Sequence, residues 1–409
     1  MTYTFNVSED AAAVDRFVEN HPQNSLFQCS DWAKVKDNWG HYLTSVRDEE
    51  NRIVATALVL SRRMPLGKCL FYIPRGPVMD YNNAELVAFY LEQLTALAKA
   101  NHAIAVRFDP NVYSRKYPYA EKDQPHPYDN QNVIELLKRL GCRHKGFTVM
   151  IEEATQPRFN AALDLDEDYM KKLDHKTRQS INTPVKKGVK LYTGHEYLHE
   201  FAQAMHFTEM RKGVALRNEE YFRHMAEVYG DRCIITVAKL SFKEQIAALQ
   251  ETIARAQQDL ENTPYKKQQN ALKQTIANAE KDLAVLKEDM EKEGKDEVIL
   301  AGKLAIYNKN RMEFVYMGNN AEYMRLRSSY LLYKTYLDMA LQKGIHYVSM
   351  GGVEGTLDDG LTGFKSCWLM DVEEYIGEFN IVLDPFVYKA FDEVYPRLLQ
   401  RAAKLRSRK

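Results

Sequence analysis

An aromatic ring and a cation stand side by side at Phe364-Lys365. They close a glycine-rich stretch that starts at Gly351-Gly352-Val-Glu-Gly355 and continues in Leu361-Thr-Gly-Phe-Lys-Ser366. Glycines at such a point allow the backbone to come close to a ligand. Asp109-Pro110 follows the apolar run Ala103-Ile-Ala-Val-Arg-Phe108. Groups at strand ends are often functional in α/β proteins, although Asp before Pro is equally an ordinary turn. In the segment from Ser30 to Trp39, Ser30 is suited to cap a helix, and Trp32, Val35 and Trp39 fall on one face. Lys36 lies within a turn of both tryptophans, which suits a phosphate beside an apolar group as well as it suits a solvated surface. Arg211 and Arg217 flank Gly213. Either could fork onto a phosphate, or both could be surface arginines.

His195-Glu-Tyr-Leu-His199 has the H-E-x-x-H form, with Glu219 twenty residues past the second histidine. That is a zinc-peptidase spacing. Gly194 before the first histidine puts the motif at a helix start, and Glu200 puts a charge where such sites want apolar flanks. The expectation is therefore no metal.

The elements that carry these residues read as a repeat. Strands at 52–60 and 69–74, a helix at 83–100 and a strand at 103–108 recur as strands at 298–307 and 312–317, a helix at 322–342 and a strand at 345–350. A β-β-α-β unit at a constant offset predicts two related α/β domains. The expected division is 1–150 and 151–383, with a C-terminal tail from 384 to 409. The helix Asn132–Leu140, capped by Gly141, closes the first half. Residues 167–187 read as a basic amphipathic helix broken at Pro184.

Between the strands Cys233–Leu240 and Glu297–Ile306 lies a helical arm, 242–295. Phe242, Ile246, Leu249, Ile253, Ala256 and Leu260 are spaced as a and d positions of a heptad. After Asn262-Thr-Pro264 the pattern returns in Leu272, Ile276, Ala279, Leu283, Leu286 and Met290. Two such seams joined by a turn predict an antiparallel coiled coil. From Lys243 to Asp296 there are nine Lys/Arg against eleven Asp/Glu, a balance of −2. A simple clamp on nucleic acid would be basic.

At 409 residues, with 45% hydrophobic and 27% charged residues, two globular domains are the prior. The formal charge of zero argues against a chain wrapped around nucleic acid. Arg397 to Lys409 carries six basic residues and no acid, so the remainder carries −6. That tail has an apolar side and reads as a solvated helix or a weak grip on anionic lipid or RNA. Five scattered cysteines without C-x-x-C spacing imply no disulfide framework and fit a cytoplasmic setting. Neither a signal peptide nor a membrane-spanning run is present. No P-loop or GxGxxG follows a strand, so neither ATP nor nicotinamide is expected.

The repeated unit looks like the N-acetyltransferase fold, but the R/Q-x-x-G-x-G/A loop for acetyl-CoA is missing. The chain as a whole resembles the Fem family of peptidoglycan bridge-forming aminoacyltransferases, most of all its MurM/MurN type. The resemblance rests on Gln28-x-x-x-Trp32-x-x-x-Lys36, Pro74-Arg-Gly-Pro-Val78, Gln156-Pro-Arg-Phe-Asn160 and Thr208-x-x-Arg211. It continues in Gly351-Gly352-Val353, Phe364-Lys365 and Ile376-Gly-Glu-Phe379, with the arm in its place. It implies two acetyltransferase-like domains and transfer of an aminoacyl group from aminoacyl-tRNA to the stem-peptide lysine, or to the growing bridge, of lipid II or a UDP-linked muropeptide.

Alanine or serine is the implied amino acid, with glycine as an alternative, and no cofactor is implied. The resemblance also implies that Lys365, with Phe364, faces the developing oxyanion and that Asp109 is a candidate base. It gives Lys36 and Trp39 to a substrate phosphate, with either Arg211 or Arg217. A cytoplasmic enzyme follows, in peripheral contact with the inner face of the membrane and with related bridge-forming transferases as possible partners. Other readings are an acetyl-CoA-dependent N-acyltransferase, a zinc peptidase and a non-enzymatic coiled-coil adaptor.

Overall fold

The computed structural model describes residues 2–213 and 217–391. The described residues within 1–164, 307–313 and 345–409 form one compact unit, and Leu165–Ile306 with Phe314–Gly344 form another.

In the first unit the strand Ile53–Arg63 pairs antiparallel with Gly40–Arg47 on one side and Cys69–Ile73 on the other. The helix Ala84–Ala100 then returns the chain. Asn83 starts it by accepting from the Leu86 amide, and its buried face is Leu86, Val87, Tyr90, Leu91, Leu94 and Ala98. That spacing of three and four seats one stripe on the sheet. Ala103–Phe108 follows, parallel to Cys69–Ile73, and ends beside Ile73. The second copy of this order is Arg311–Asn319, Ser328–Gln342 and Tyr347–Val353, with Arg311 opposite Tyr347 in a parallel pair. The fold is α/β with mixed sheets.

The compact units do not follow a boundary at 150/151. Phe379–Val382 lies between Ala103–Phe108 and Arg143–His144. Conversely, Tyr113–Pro118 pairs with Asp371–Tyr375, which pairs in turn with Phe159–Asp164. Late strands complete the sheet of the N-terminal residues, and an early strand completes the sheet that holds Tyr347–Val353. Strand pairing leaves no composition shift for a linker search to find.

In the second unit, Cys233–Ser241 pairs with Lys190–Thr193 and with residues 297–306. The last pair of that ladder is Ser241 opposite Glu297, and the arm grows directly from it. Ser241 accepts from the Glu244 amide and so starts the helix Phe242–Asn262. The partner helix, Lys266–Glu293, ends on Gly294 at φ +64°. At 21 and 28 residues they extend about 30 and 40 Å. Every seam residue named above is buried or half-buried, while most positions between them are exposed. Ala256 and Ala279 are each 5% exposed, so the helices approach closely at those small residues. At the base Phe242, Ile246, Leu286 and Met290 join the cluster of Leu240, Val298, Leu300 and Tyr323.

Three helices differ from expectation. The 167–187 segment breaks at Leu173, not Pro184, because Asp174 caps a new helix through the Thr177 amide. Pro184 sits in its last turn. The 322–342 segment is a short 3-10 helix, Ala321–Leu326, and a helix from Ser328, separated by left-handed Arg327 (φ +54°). The helix at Ser30 ends at Val35, so Trp39 lies beyond it. Its first turn is capped from outside, by Asp15 accepting from the Ser30 amide and hydroxyl at 2.7 and 2.6 Å. The expected tail reaches the described residues only through the helix Pro385–Lys389 and as far as 391. Residues 392–409 lie outside them.

Candidate active site

Asp109 follows the strand Ala103–Phe108 and is 3% exposed. The Tyr72 hydroxyl donates to one carboxyl oxygen at 2.8 Å and the Arg75 amide to the other at 2.5 Å. Burial pushes this carboxyl up to about 7 from its ordinary 3.8, against the opposing pull of Arg75 and Tyr72. An acid that titrates near neutrality can both take and return a proton under cellular conditions.

The turn that brings Arg75 to Asp109 is built from the 74–78 motif. Gln28 is fully buried; its side-chain amide donates to the Pro74 carbonyl at 2.5 Å and accepts from the Leu58 amide at 3.0 Å. Any Cβ at residue 76 would stand 2.5 Å from that amide, so glycine is required. Arg75 itself is left-handed at φ +54°. Its guanidinium donates to the Pro157 carbonyl at 2.7 Å and lies 3.9 Å over the Tyr375 ring. The Tyr375 hydroxyl reaches Glu373 at 3.2 Å. Tyr347 also donates to Glu373 at 2.8 Å, and Asn160 at 2.9 Å. Burial holds the Tyr72, Tyr347 and Tyr375 phenols well above their usual range, so they act as donors.

Lys365 sits in the short helix Gly360–Ser366, which Asp359 caps at the Leu361 and Thr362 amides. It is 4% exposed, and its ammonium donates to the Gly351 and Gly352 carbonyls at 3.0 and 2.9 Å. Those carbonyls lie just past a bulge, between Ser349 and Gly351, in the pairing of Tyr347–Val353 with Phe159–Asp164. Phe364 beside it is half-buried. Two of the loop glycines serve the protein's own packing. A Cβ at Gly352 would lie 2.4 Å from Pro157, and one at Gly355 2.2 Å from the Phe159 ring. A continuous set of contacts therefore runs from Asp109 through Arg75 and Pro157 to Gly352 and Lys365.

Lys36 caps the end of the Ser30–Val35 helix, its ammonium 4.9 Å over the Trp32 ring. Trp39 is half-buried, with the Arg62 guanidinium 5.8 Å over it. Arg211 and Arg217 belong to the other unit and are exposed. Arg211 lies 3.9 Å from the Met324 sulfur and Arg217 4.9 Å over the Tyr221 ring, which gives neither a phosphate-binding advantage. In the H-E-x-x-H segment His195 faces the Cys233 carbonyl at 2.8 Å, while His199 pairs with Glu219 at 2.8 Å. Among the described residues no three His, Cys, Asp or Glu side chains converge as a metal site.

Tyr72, Arg75, Tyr347, Glu373 and Tyr375 escaped sequence reasoning. Arg75 stood inside a quoted motif and could have been singled out. The others sit in strands whose polar residues look unremarkable until pairing buries them.

Residues 10–396 match the FemAB family model. A lipid II:glycine glycyltransferase of Staphylococcus aureus (strain bovine RF122 / ET3-1) is 29% identical over 417 residues, covering 96% of each chain. The protein of that name from strain USA300 is 28% identical over the same length. Among solved structures, a crystal structure of FemX is similar with a TM-score of 0.73 and 25% identity, over 96% of this chain and 100% of that one. The match spans both compact units, and the chain belongs to the FemAB family, as an aminoacyltransferase.

Proposed function

We propose that the protein transfers a small amino acid from aminoacyl-tRNA to the stem-peptide lysine, or the growing bridge, of a lipid-linked peptidoglycan precursor. The observation that carries this reading is the buried Asp109 carboxyl, near-neutral and connected by contacts to Lys365. An aminoacyl ester is already activated, so the reaction needs no ATP. The difficulty lies in the nucleophile. A lysine amine with a reference pKa near 10.4 costs about 4–5 kcal/mol to deprotonate at pH 7. Asp109 as base shares that cost.

Attack forms an N–C bond and an oxyanion; collapse then breaks the C–O bond and returns a proton to the tRNA hydroxyl. A fixed cation at the oxyanion lowers such a barrier most, and Lys365 is assigned that role, with Phe364 shielding it from water. Lys36 and Trp39 grip the precursor phosphate. The arm helices form an antiparallel coiled coil that positions a macromolecule and takes no part in chemistry. The name of the Staphylococcus aureus relatives points to glycine, and the MurM/MurN likeness to alanine or serine. Purified protein given labelled alanyl-, seryl- and glycyl-tRNA with lipid-linked pentapeptide, with and without a first bridge residue, separates the three. Label retained on tRNA in every mixture would sink the reading.

A further inference from the structure

Beside the Asp109 turn the first unit holds a cavity of about 390 Å³ that no step above uses. That volume is within the range of small-molecule sites, roughly 300–1,000 Å³. The cavity shares residues with the site already described. Asn111, Val112 and Tyr113 in its wall follow directly on Asp109-Pro110, and Tyr113 is also bonded to Glu373. Tyr81, another wall residue, lies near enough to Asp109 for that carboxyl to act on its phenol, after burial, Tyr90 and Cys142.

The wall has a consistent chemistry. Among the described residues it holds no lysine or arginine, and its charged group is the Asp80 carboxylate. Burial lowers the His21 imidazole against the opposing pull of Asp80, and its Nδ1 accepts from the Gln23 amide at 3.2 Å. Asn111 is 5% exposed and donates to the Gln23 and Asn24 carbonyls at 3.0 and 3.1 Å. Its side-chain oxygen has no hydrogen-bond partner among the described residues. A buried acceptor without a donor is costly, and an N–H that reached it through a small shift of the wall would satisfy it. A carboxylate or phosphate would meet Asp80 and lone-pair oxygens with no cation to offset them.

We propose that this cavity is a subsite for an amine- or amide-bearing segment of the acceptor peptide, read by Asp80, Asn82 and Asn111. It rests on the reading of the acceptor as a peptide with a free amine. Asp80 and Asn82 are exposed, so both can be changed without disturbing the core.

The test titrates the free pentapeptide into the wild type, Asp80→Lys and Asn82→Trp by calorimetry, with thermal midpoints to check folding. Transfer kinetics are measured on the same three proteins. The expected result is about tenfold weaker peptide binding in both variants, from like charge in one and lost volume in the other. The acceptor KM should rise in parallel, with kcat and the aminoacyl-tRNA KM unchanged. Wild-type transfer with the variants indistinguishable from it would overturn the subsite and leave the proposed function standing. Peptide binding that depends on Asp80, in a wild type that transfers nothing, would do the reverse. A wild type that binds no peptide would overturn the subsite outright.

Discussion

Asp109 combines burial with a carboxyl held near neutrality, and this makes two predictions of opposite kind. In the folded chain the carboxyl keeps its proton up to about pH 7, whereas unfolded it releases it near 3.8. Between those values the folded state binds more protons, so stability falls as pH rises through the window and levels off above it. Asp109→Asn keeps an acceptor for the Arg75 amide and removes the buried charge. It should be about 2–4 kcal/mol more stable than wild type at pH 8 and no more stable at pH 3.5, by urea unfolding. Activity should move the other way. The wild-type transfer rate should climb through about pH 7, and the variant should show a low, flat profile.

Lys365 offers a second residue-scale test. Its ammonium holds two backbone carbonyls, so Lys365→Ala should cost about 2–4 kcal/mol of stability. Lys365→Met keeps most of the volume. If the charge faces the oxyanion, both variants should lose transfer by about 10²–10³ while still binding aminoacyl-tRNA. A Lys365→Met protein with full activity would leave the residue a strut for the bulge.

At the scale of elements, the arm shows what sequence carries well. Its two helices were legible because their apolar residues recur at helical spacing, a local pattern that spacing alone records. Helix ends were less legible. The break at Asp174 and the left-handed Arg327 depend on a cap and a single backbone angle, and both outweighed a reading based on proline or continuous periodicity. The arm's close approach at Ala256 and Ala279 makes a specific prediction. Ala279→Asp buries a carboxylate in the seam and should lower amide-exchange protection along both arm helices by about 1–3 kcal/mol, with the strand protection of Cys233–Ser241 kept. Lys266→Glu with Lys267→Glu should raise the aminoacyl-tRNA KM less than threefold, because the arm is acidic overall. A rise above tenfold would make the tip a tRNA contact.

Across the whole molecule, the duplicated β-β-α-β order could be read from apolar runs and their offset, whereas the exchange of strands could not. Phe379–Val382 sits next to Ala103–Phe108, far from it in sequence, and no local signal announces the pairing. The cluster of half-buried Tyr347 with buried Glu373 and Tyr375 was hidden for the same reason. A fragment ending at residue 150 therefore lacks a strand of its own sheet. It should show a collapsed near-ultraviolet dichroism signal and no cooperative urea transition, where the full chain has one.

Aminoacyl transfer from tRNA to a precursor peptide can be read directly in one measurement. Purified protein is mixed with lipid-linked or nucleotide-linked pentapeptide, with and without a first bridge residue, and with each of labelled alanyl-, seryl- and glycyl-tRNA. Mass spectrometry then reads the acceptor. The expected product is an acceptor heavier by one small amino acid residue, joined at the lysine side chain or at the bridge amine, with at least one of the three donors. An acceptor of unchanged mass with every donor, on either carrier, would contradict it.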